Sequence, residues 1–251
     1  MQKIKTVLCL SMASFLSACA ASDNSIPDTP VEHLYMQGHT YFQEKNYEEA
    51  ARFFDEVEGQ HPYSVWAPRA QIMAAYSFYN ANKYDDAILA LDRFIQLHPG
   101  NKNIAYAYYL KGLCYFEQMS DVSREQKMTE DALETFKELL YRFPNSVYVP
   151  DVNEKLKEIT SHLAGKEMAV GRYYLKNKEY VPALNRFQSV LLEHPQGNQS
   201  SEALYRLAVC YTSLGMMPQA KQMQAILAHY YPKSPWTEKT KAMIQKYTKE
   251  K

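Results

Sequence analysis

Apolar residues along the chain recur at helical spacing in short stretches, and a proline closes each stretch. In "AARFFDEVEGQHP" and "AILALDRFIQLHP" the apolar positions fall three and four residues apart. Each stretch therefore reads as an amphipathic helix that ends where Pro removes a backbone donor. The Ala opening the stretch and the Pro closing it stand twelve residues apart five times: Ala50/Pro62, Ala87/Pro99, Ala132/Pro144, Ala183/Pro195 and Ala220/Pro232. A small residue precedes the Ala by twelve in four cases, Gly38, Ala75, Gly171 and Ala208, and Gly112 precedes Ala132 by twenty. A helix carrying a small residue, a turn, and a second helix with a small Ala facing back make an αα-hairpin of close approach. The pattern predicts five such hairpins.

This repeat resembles the tetratricopeptide repeat over nearly all of the chain beyond its first thirty residues. Repeat one supplies the family's small, aromatic, Ala, apolar and Pro positions as Gly38, Tyr41, Ala50, Phe54 and Pro62; repeat four supplies Gly171, Tyr174, Ala183, Phe187 and Pro195. Repeats two and three match with Phe78 and Leu91 and with Tyr115 and Phe136, whereas repeat five carries Gln224 at an apolar position. The resemblance implies an all-α fold of five helix-turn-helix repeats in a right-handed superhelix. Two departures from the period add to it. Eight extra residues, Ser120 to Lys127, lengthen the turn of repeat three. Between Pro144 and Pro195, Val152, Leu156, Ile159, Leu163 and Val170 share one face, which predicts one long helix connecting repeats one to three with repeats four and five. Ser234 and Pro235 open a polar terminal helix that caps the stack.

The first residues follow a different logic. Lys3 and Lys5 precede an apolar run from Val7 to Leu16, about half the length a bilayer-spanning helix needs, so residues 1–18 read as a secretory signal. "LSAC", Leu16 to Cys19, resembles the bacterial lipobox, which implies a diacylglyceryl group on the Cys19 thiol and an acyl chain on its freed amine. Two or more chains give stable anchoring where one does not. Ala20 in place of Asp leans toward the outer membrane. Residues 19–30, rich in Ser, Asp, Asn and Pro, read as an extended tether. With Cys9 lost with the signal, Cys114 and Cys210 occupy corresponding places in different repeats, and two buried free thiols are expected.

Composition removes several function classes. The chain has 251 residues, 28 basic against 28 acidic, so no nucleic-acid surface is indicated. His61, His98 and His194 each precede a repeat-ending Pro and recur with the repeat; His33, His39, His162 and His229 form no metal-ligand spacing. No Gly-rich phosphate loop or nucleophile motif occurs. The expectation is a protein with no catalytic residues, no metal and no cofactor beyond the lipid on Cys19. The positive signal is aromatic. Positions that line the concave groove of tetratricopeptide stacks hold Tyr35, Phe42, Tyr76, Tyr79, Tyr106, Tyr109 and Phe116, with His39 and Arg69 among them, in repeats one to three. The same positions in repeats four and five hold mixed residues, including Gly165, Met168, Arg172, Glu202 and Tyr205. An aromatic groove suits extended apolar or aromatic peptide segments.

Four stretches go beyond a general repeat: "DRFIQLHP", "NIAYAYYLKGL", "FPNSVY" and "VGRYYLKNKEYVPALNRF" are similar to the BamD (ComL/YfiO) family of outer-membrane β-barrel assembly lipoproteins. The resemblance implies a periplasm-facing, lipid-anchored adaptor of the BAM complex. It implies that residues 31–145 capture unfolded outer-membrane β-barrel proteins by their aromatic-ended C-terminal strand. Residues 146–251 would dock on BamA, through its POTRA region, with Asn185 and Arg186 matching the family's Asn-Arg pair, and other BAM lipoproteins would be further partners. A different reading of the same repeats is a periplasmic scaffold lipoprotein that links envelope or peptidoglycan machinery of the Tol/Pal kind.

Overall fold

The computed structural model describes residues 26–122, 124–195 and 197–249, and among them all regular structure is helical. The helices are α1 Val31–Gln43, α2 Tyr47–Gln60, α3 Ala67–Asn80, α4 Tyr84–Leu97, α5 Ile104–Glu117, α6 Lys127–Arg142, α7 Val149–Lys176, α8 Tyr180–Glu193, α9 Ser200–Ser213, α10 Met217–Tyr230 and α11 Pro235–Lys249. Consecutive helices pack as hairpins α1/α2, α3/α4, α5/α6, α7/α8 and α9/α10, with α11 lying on α9 and α10. The signal and the Cys19 lipidation expected from the lipobox lie outside the described residues.

Turn chemistry recurs with the repeat. His61, His98, Phe143, His194 and Tyr231, the residues before the five prolines, all sit at φ between −129 and −133 and ψ between 50 and 58. The proline ring bars its predecessor from the helical region, so the second helix of every repeat ends at the same place. Within each tight repeat the first helix is turned by one residue of positive φ: Lys45 at 61, Asn82 at 58, Lys178 at 64 and Gly215 at 75. Gly and Asn adopt that region most readily, whereas the two lysines hold it at a steric cost. Repeat three replaces this turn by a loop, described over residues 118–122 and 124–126, while Lys127, expected at the end of the Ser120 to Lys127 insertion, opens α6.

The close approach inside the hairpins is a ring laid on a glycine. A Cβ on Gly38 would stand 2.9 Å from the Phe54 ring, on Gly112 2.3 Å from Phe136, and on Gly171 2.6 Å from Phe187. All three rings are fully buried. The remaining two repeats hold Ala75 with Leu91 and Ala208 with Gln224. A larger residue on the first helix is thus matched by a slimmer one on the second.

Helix α7 joins the halves as expected, but the cores divide within it. Val152 and Ile159 belong to the core of repeats two and three, with Leu163 packed against it, while Ala164 and Met168 belong to the core of repeats four and five. The boundary expected at 145/146 therefore lies inside α7, because the first half of that helix is the surface on which α6 packs. The long loop of repeat three buttresses this junction. The Lys166 ammonium donates to the Arg124 carbonyl at 2.9 Å. Gly165 is flanked by Val122 and by Gln199, whose amide donates to the Ser161 carbonyl at 3.3 Å. Cys114 and Cys210 are buried and free, in agreement with the repeat register.

Gly112→Ala is expected to lower stability by about 1–3 kcal/mol through overpacking against the Phe136 ring, despite the better helix propensity of Ala. Adding Phe136→Leu, which recreates the pairing of repeat two, should recover part of the loss. Urea unfolding of the two single variants and the double variant measures the coupling; strictly additive losses would show that the two positions do not compete for the same space.

Candidate functional site

The first helices of repeats one to three run side by side, and their aromatic residues meet across them. Phe42, near the end of α1, lies 5.4 Å centroid to centroid from Tyr76 of α3. Tyr76 is 6.5 Å from Tyr106 of α5, Tyr106 is 5.7 Å from Tyr148, and Tyr148 stacks on Tyr109 at 4.6 Å and 12°. These rings form a diagonal ladder from the far end of α1 to the start of α7. Edge-to-face and offset contacts at these distances are favourable for aromatic pairs. Half-buried rings of this kind keep an exposed side while their neighbours fix the rotamer.

Beside the ladder, the Tyr79 ring meets Tyr84 at 5.7 Å, and its hydroxyl donates to Glu117 at 3.4 Å. The Lys155 ammonium sits 4.6 Å above the Phe116 ring and 3.9 Å from Asp151. That carboxylate accepts from the Tyr109 hydroxyl at 2.8 Å. Sequence periodicity missed Tyr148, Asp151 and Lys155, since the first lies in an inter-repeat turn and the others on the connecting helix. The residue spacing within "FPNSVY" gave no sign that Tyr148 would complete the set.

Not every expected groove residue faces the groove. Tyr35 is 5% exposed and belongs to the core of repeat one, packed on Phe54 at 5.3 Å and Trp66 at 4.8 Å. It is turned inward because Trp66, at the end of the inter-repeat turn, covers it. Arg69 lies over its ring at 5.4 Å, with its own surface exposed. His39 is half-buried on α1. In the second half Met168 is fully buried and Gly165 is packed under the loop of repeat three, so neither lines a groove. There Glu202 joins Arg172 and Arg206, each at 3.1 Å, and Tyr205 stacks on Trp236 of α11 at 4.9 Å.

Asn185 and Arg186 are exposed on α8. Arg186 is not solvated alone: its Nη1 donates to both carboxylate oxygens of Glu167 on α7, at 3.2 and 3.3 Å. This partner, long-range in sequence, was invisible to spacing arguments.

The chemistry of the aromatic face is set by burial. Burial raises the Tyr106 phenol above its ordinary range, and burial followed by the bond to Asp151 does the same for Tyr109. Tyr79 is pushed up to about 12 by burial and by Glu117. Burial also pushes the thiols up, to about 12 for Cys114 and about 11 for Cys210, so neither is a nucleophile at neutral pH. Among the described residues no three His, Cys, Asp or Glu side chains group as metal ligands, and none of the described helices is long and apolar enough to cross a membrane.

The sequence model of the YfiO family, described as an outer membrane lipoprotein, matches residues 27–226. The chain belongs to the YfiO family. YfiO-family relatives named outer membrane protein assembly factor BamD include one from Caulobacter vibrioides, 40% identical over 92% of this chain and 77% of its own length. Another, from Rickettsia prowazekii, is 39% identical over 87% of both chains, and one from Neisseria meningitidis is 33% identical over 92% of this chain and 93% of its own. The matched region of this YfiO chain contains the whole aromatic ladder and the Asn185–Arg186 pair.

The raised phenols give this face a pH signature. The fold holds these protons more tightly than the unfolded chain, whose phenols titrate near 10, so their contribution to stability is intact below about pH 10 and is lost as pH rises toward 12. Tyr106→Phe should leave stability at neutral pH little changed and move the midpoint of alkaline unfolding upward, followed by circular dichroism and tyrosinate absorbance. An unchanged midpoint would mean that Tyr106 ionises freely in the folded state.

Proposed function

We propose that this chain is a non-catalytic assembly factor for outer-membrane β-barrel proteins, held by a lipid on Cys19 at the periplasmic face of the outer membrane and working within the BAM complex. The observation that carries the molecular part of this reading is the ladder Phe42–Tyr76–Tyr106–Tyr148–Tyr109. Its exposed ring faces suit the aromatic-ended C-terminal strand of an unfolded barrel protein, which offers alternate side chains to such a surface. Rigid rings fixed by their neighbours lose little entropy on binding, which favours transient capture of many sequences over tight selection of one.

The second half serves a different partner in this reading. Arg186 presents a charge-assisted donor on an exposed helix face, for which a carboxylate of the BamA POTRA region is the expected acceptor. Docking there requires Arg186 to leave or share Glu167, so the internal pair keeps the guanidinium in place until the partner arrives. Accessory BAM lipoproteins complete the proposed assembly. Family membership and the names of the relatives support this reading; the division of labour between the halves is a proposal about this chain.

The full-length protein tests it. Tyr76→Ala with Tyr79→Ala should weaken binding of a barrel protein's C-terminal peptide by roughly tenfold, about 1.4 kcal/mol, while recovery of BamA from solubilised membrane is unchanged. Arg186→Glu should abolish BamA recovery and leave the peptide affinity intact. Equal loss of both activities in either variant, or recovery of only Tol/Pal-type partners by the unmodified protein, would sink the proposal.

A further inference from the structure

In repeats one to three the second helices end and the first helices begin on one edge of the stack, and that edge has an unusual surface. Tyr63 is 101% exposed and Val65 91% in the turn after α2; Tyr141, in the last turn of α6, is 88% exposed, and Val147, in the turn after it, 83%. Leu97, the last residue of α4, is 58% exposed. The three turns, 61–66, 98–103 and 143–148, contain no Asp or Glu. Of the carboxylates beside them, the half-buried Glu58 pairs with Arg93, the exposed Glu138 pairs with Arg142 and the exposed Asp151 accepts from Tyr109, while Asp28 and Glu32 at the start of α1 are exposed as well. The opposite edge, where first helices turn into second helices, is acidic, with Glu44, Glu48, Asp85, Asp86, Asp121 and Glu125 exposed.

The described chain begins on the apolar edge. The Thr29 amide donates to the Gln60 side chain at 2.9 Å, the Gln60 amide donates to the Ile26 carbonyl at 3.2 Å, and the His61 ring nitrogen lies 2.7 Å from the Thr29 carbonyl. The tether is thus pinned to the end of α2, two residues before Tyr63. From Cys19 to Ile26 the chain can span at most about 25 Å. Any lipid on Cys19 holds this edge close to the bilayer.

We infer that the turn edge of repeats one to three rests on the lipid surface of the membrane, with Tyr63, Val65, Tyr141 and Val147 in the headgroup region and the first helices standing away from it. The inference depends on the reading of Cys19 as the lipidated residue. Tyr rings and aliphatic side chains partition to the bilayer interface, and the three turns, which hold Lys102 and no carboxylate, bring no negative charge of their own against anionic headgroups, although Asp28 and Glu32 are exposed beside them at the start of α1. The acidic edge is then directed away from the membrane.

The second half provides an internal control. Its corresponding turn packs on α7 at Ser161, through Gln199 and Asn198, twelve residues beyond the start of that helix. At 1.5 Å per residue this sets the equivalent positions, Leu192 and Tyr230, back by about 18 Å along α7, although they too are exposed, at 81% and 70%.

The full-length lipidated protein, reconstituted in phosphatidylethanolamine–phosphatidylglycerol vesicles, decides the matter. Single Cys probes at Val65→Cys, Val147→Cys, Leu192→Cys and Tyr230→Cys can be labelled with a fluorophore, because Cys114 and Cys210 are buried and Cys19 is capped by lipid. Vesicle-borne nitroxide lipids should quench the probes at 65 and 147 at least roughly twofold more than those at 192 and 230. Flotation with the vesicles but equal quenching at all four positions, or quenching at none, overturns the edge contact and leaves the anchor standing. Failure to float overturns both the anchor and the inference. Protection of 65 and 147 only after another envelope protein is added would assign the edge to that protein instead.

Discussion

The contact on which the rest of the structure depends is the seat of one aromatic ring on one glycine. Phe54, Phe136 and Phe187 occupy the space a side chain would take at Gly38, Gly112 and Gly171. With no Cβ between them, the two helices of a hairpin approach until ring and backbone are in van der Waals contact. Between α1 and α3 that distance contributes to the spacing of Phe42 and Tyr76, whereas between α3 and α5 the hairpin is closed by Ala75 and Leu91. The ladder's centroid separations, 5.4 to 6.5 Å across α1, α3 and α5, follow from helix spacing set by residues the ladder never touches. In the other two repeats the corresponding positions hold Ala75 with Leu91 and Ala208 with Gln224, a different division of volume between the two helices.

The repeats were legible in the sequence because their signals are periodic. Each pre-proline residue, each small residue and each second-helix Ala recurs at a fixed distance, and the physics that each one reports is local. The long helix was legible for the same reason, since Val152 to Leu163 keep a helical face through the irregular interval. What escaped was set by partners distant in sequence. Tyr35 has a groove position in its repeat, yet the neighbouring turn supplies Trp66, and burial against that ring removes it from the surface. Tyr148 is not in a periodic helix position, and it joins the ladder only because α7 begins where α5 begins. Glu167 reaches Arg186 across a hairpin, a relation no spacing rule contains.

The extra residues of repeat three acquire a purpose from the same geometry. A regular tight turn after α5 would leave the middle of α7 uncovered where the second core begins. Val122 beside Gly165 and the Arg124 carbonyl on Lys166 fill that position. A glycine in the middle of a long helix is a weak point, since it adds backbone freedom and no packing. Gly165 is held from two sides, by the loop of repeat three and by Gln199 of the turn before α9, so the helix is supported at the place where its sequence would let it bend.

The aromatic ladder and the exposed arginine both end on this one helix. Asp151 and Lys155, on its first two turns, hold Tyr109 and cover Phe116, while Glu167 holds Arg186 sixteen residues beyond Asp151. At 1.5 Å per residue these anchor points lie about 24 Å apart along a common axis. The aromatic face and the exposed arginine cannot shift relative to each other without bending α7 or breaking one of these contacts. Interfaces and packed cores switch between discrete arrangements more readily than they deform continuously. The mechanical link between the two halves is thus a single helix, and Gly165, a weak point of its backbone, is supported there from two sides.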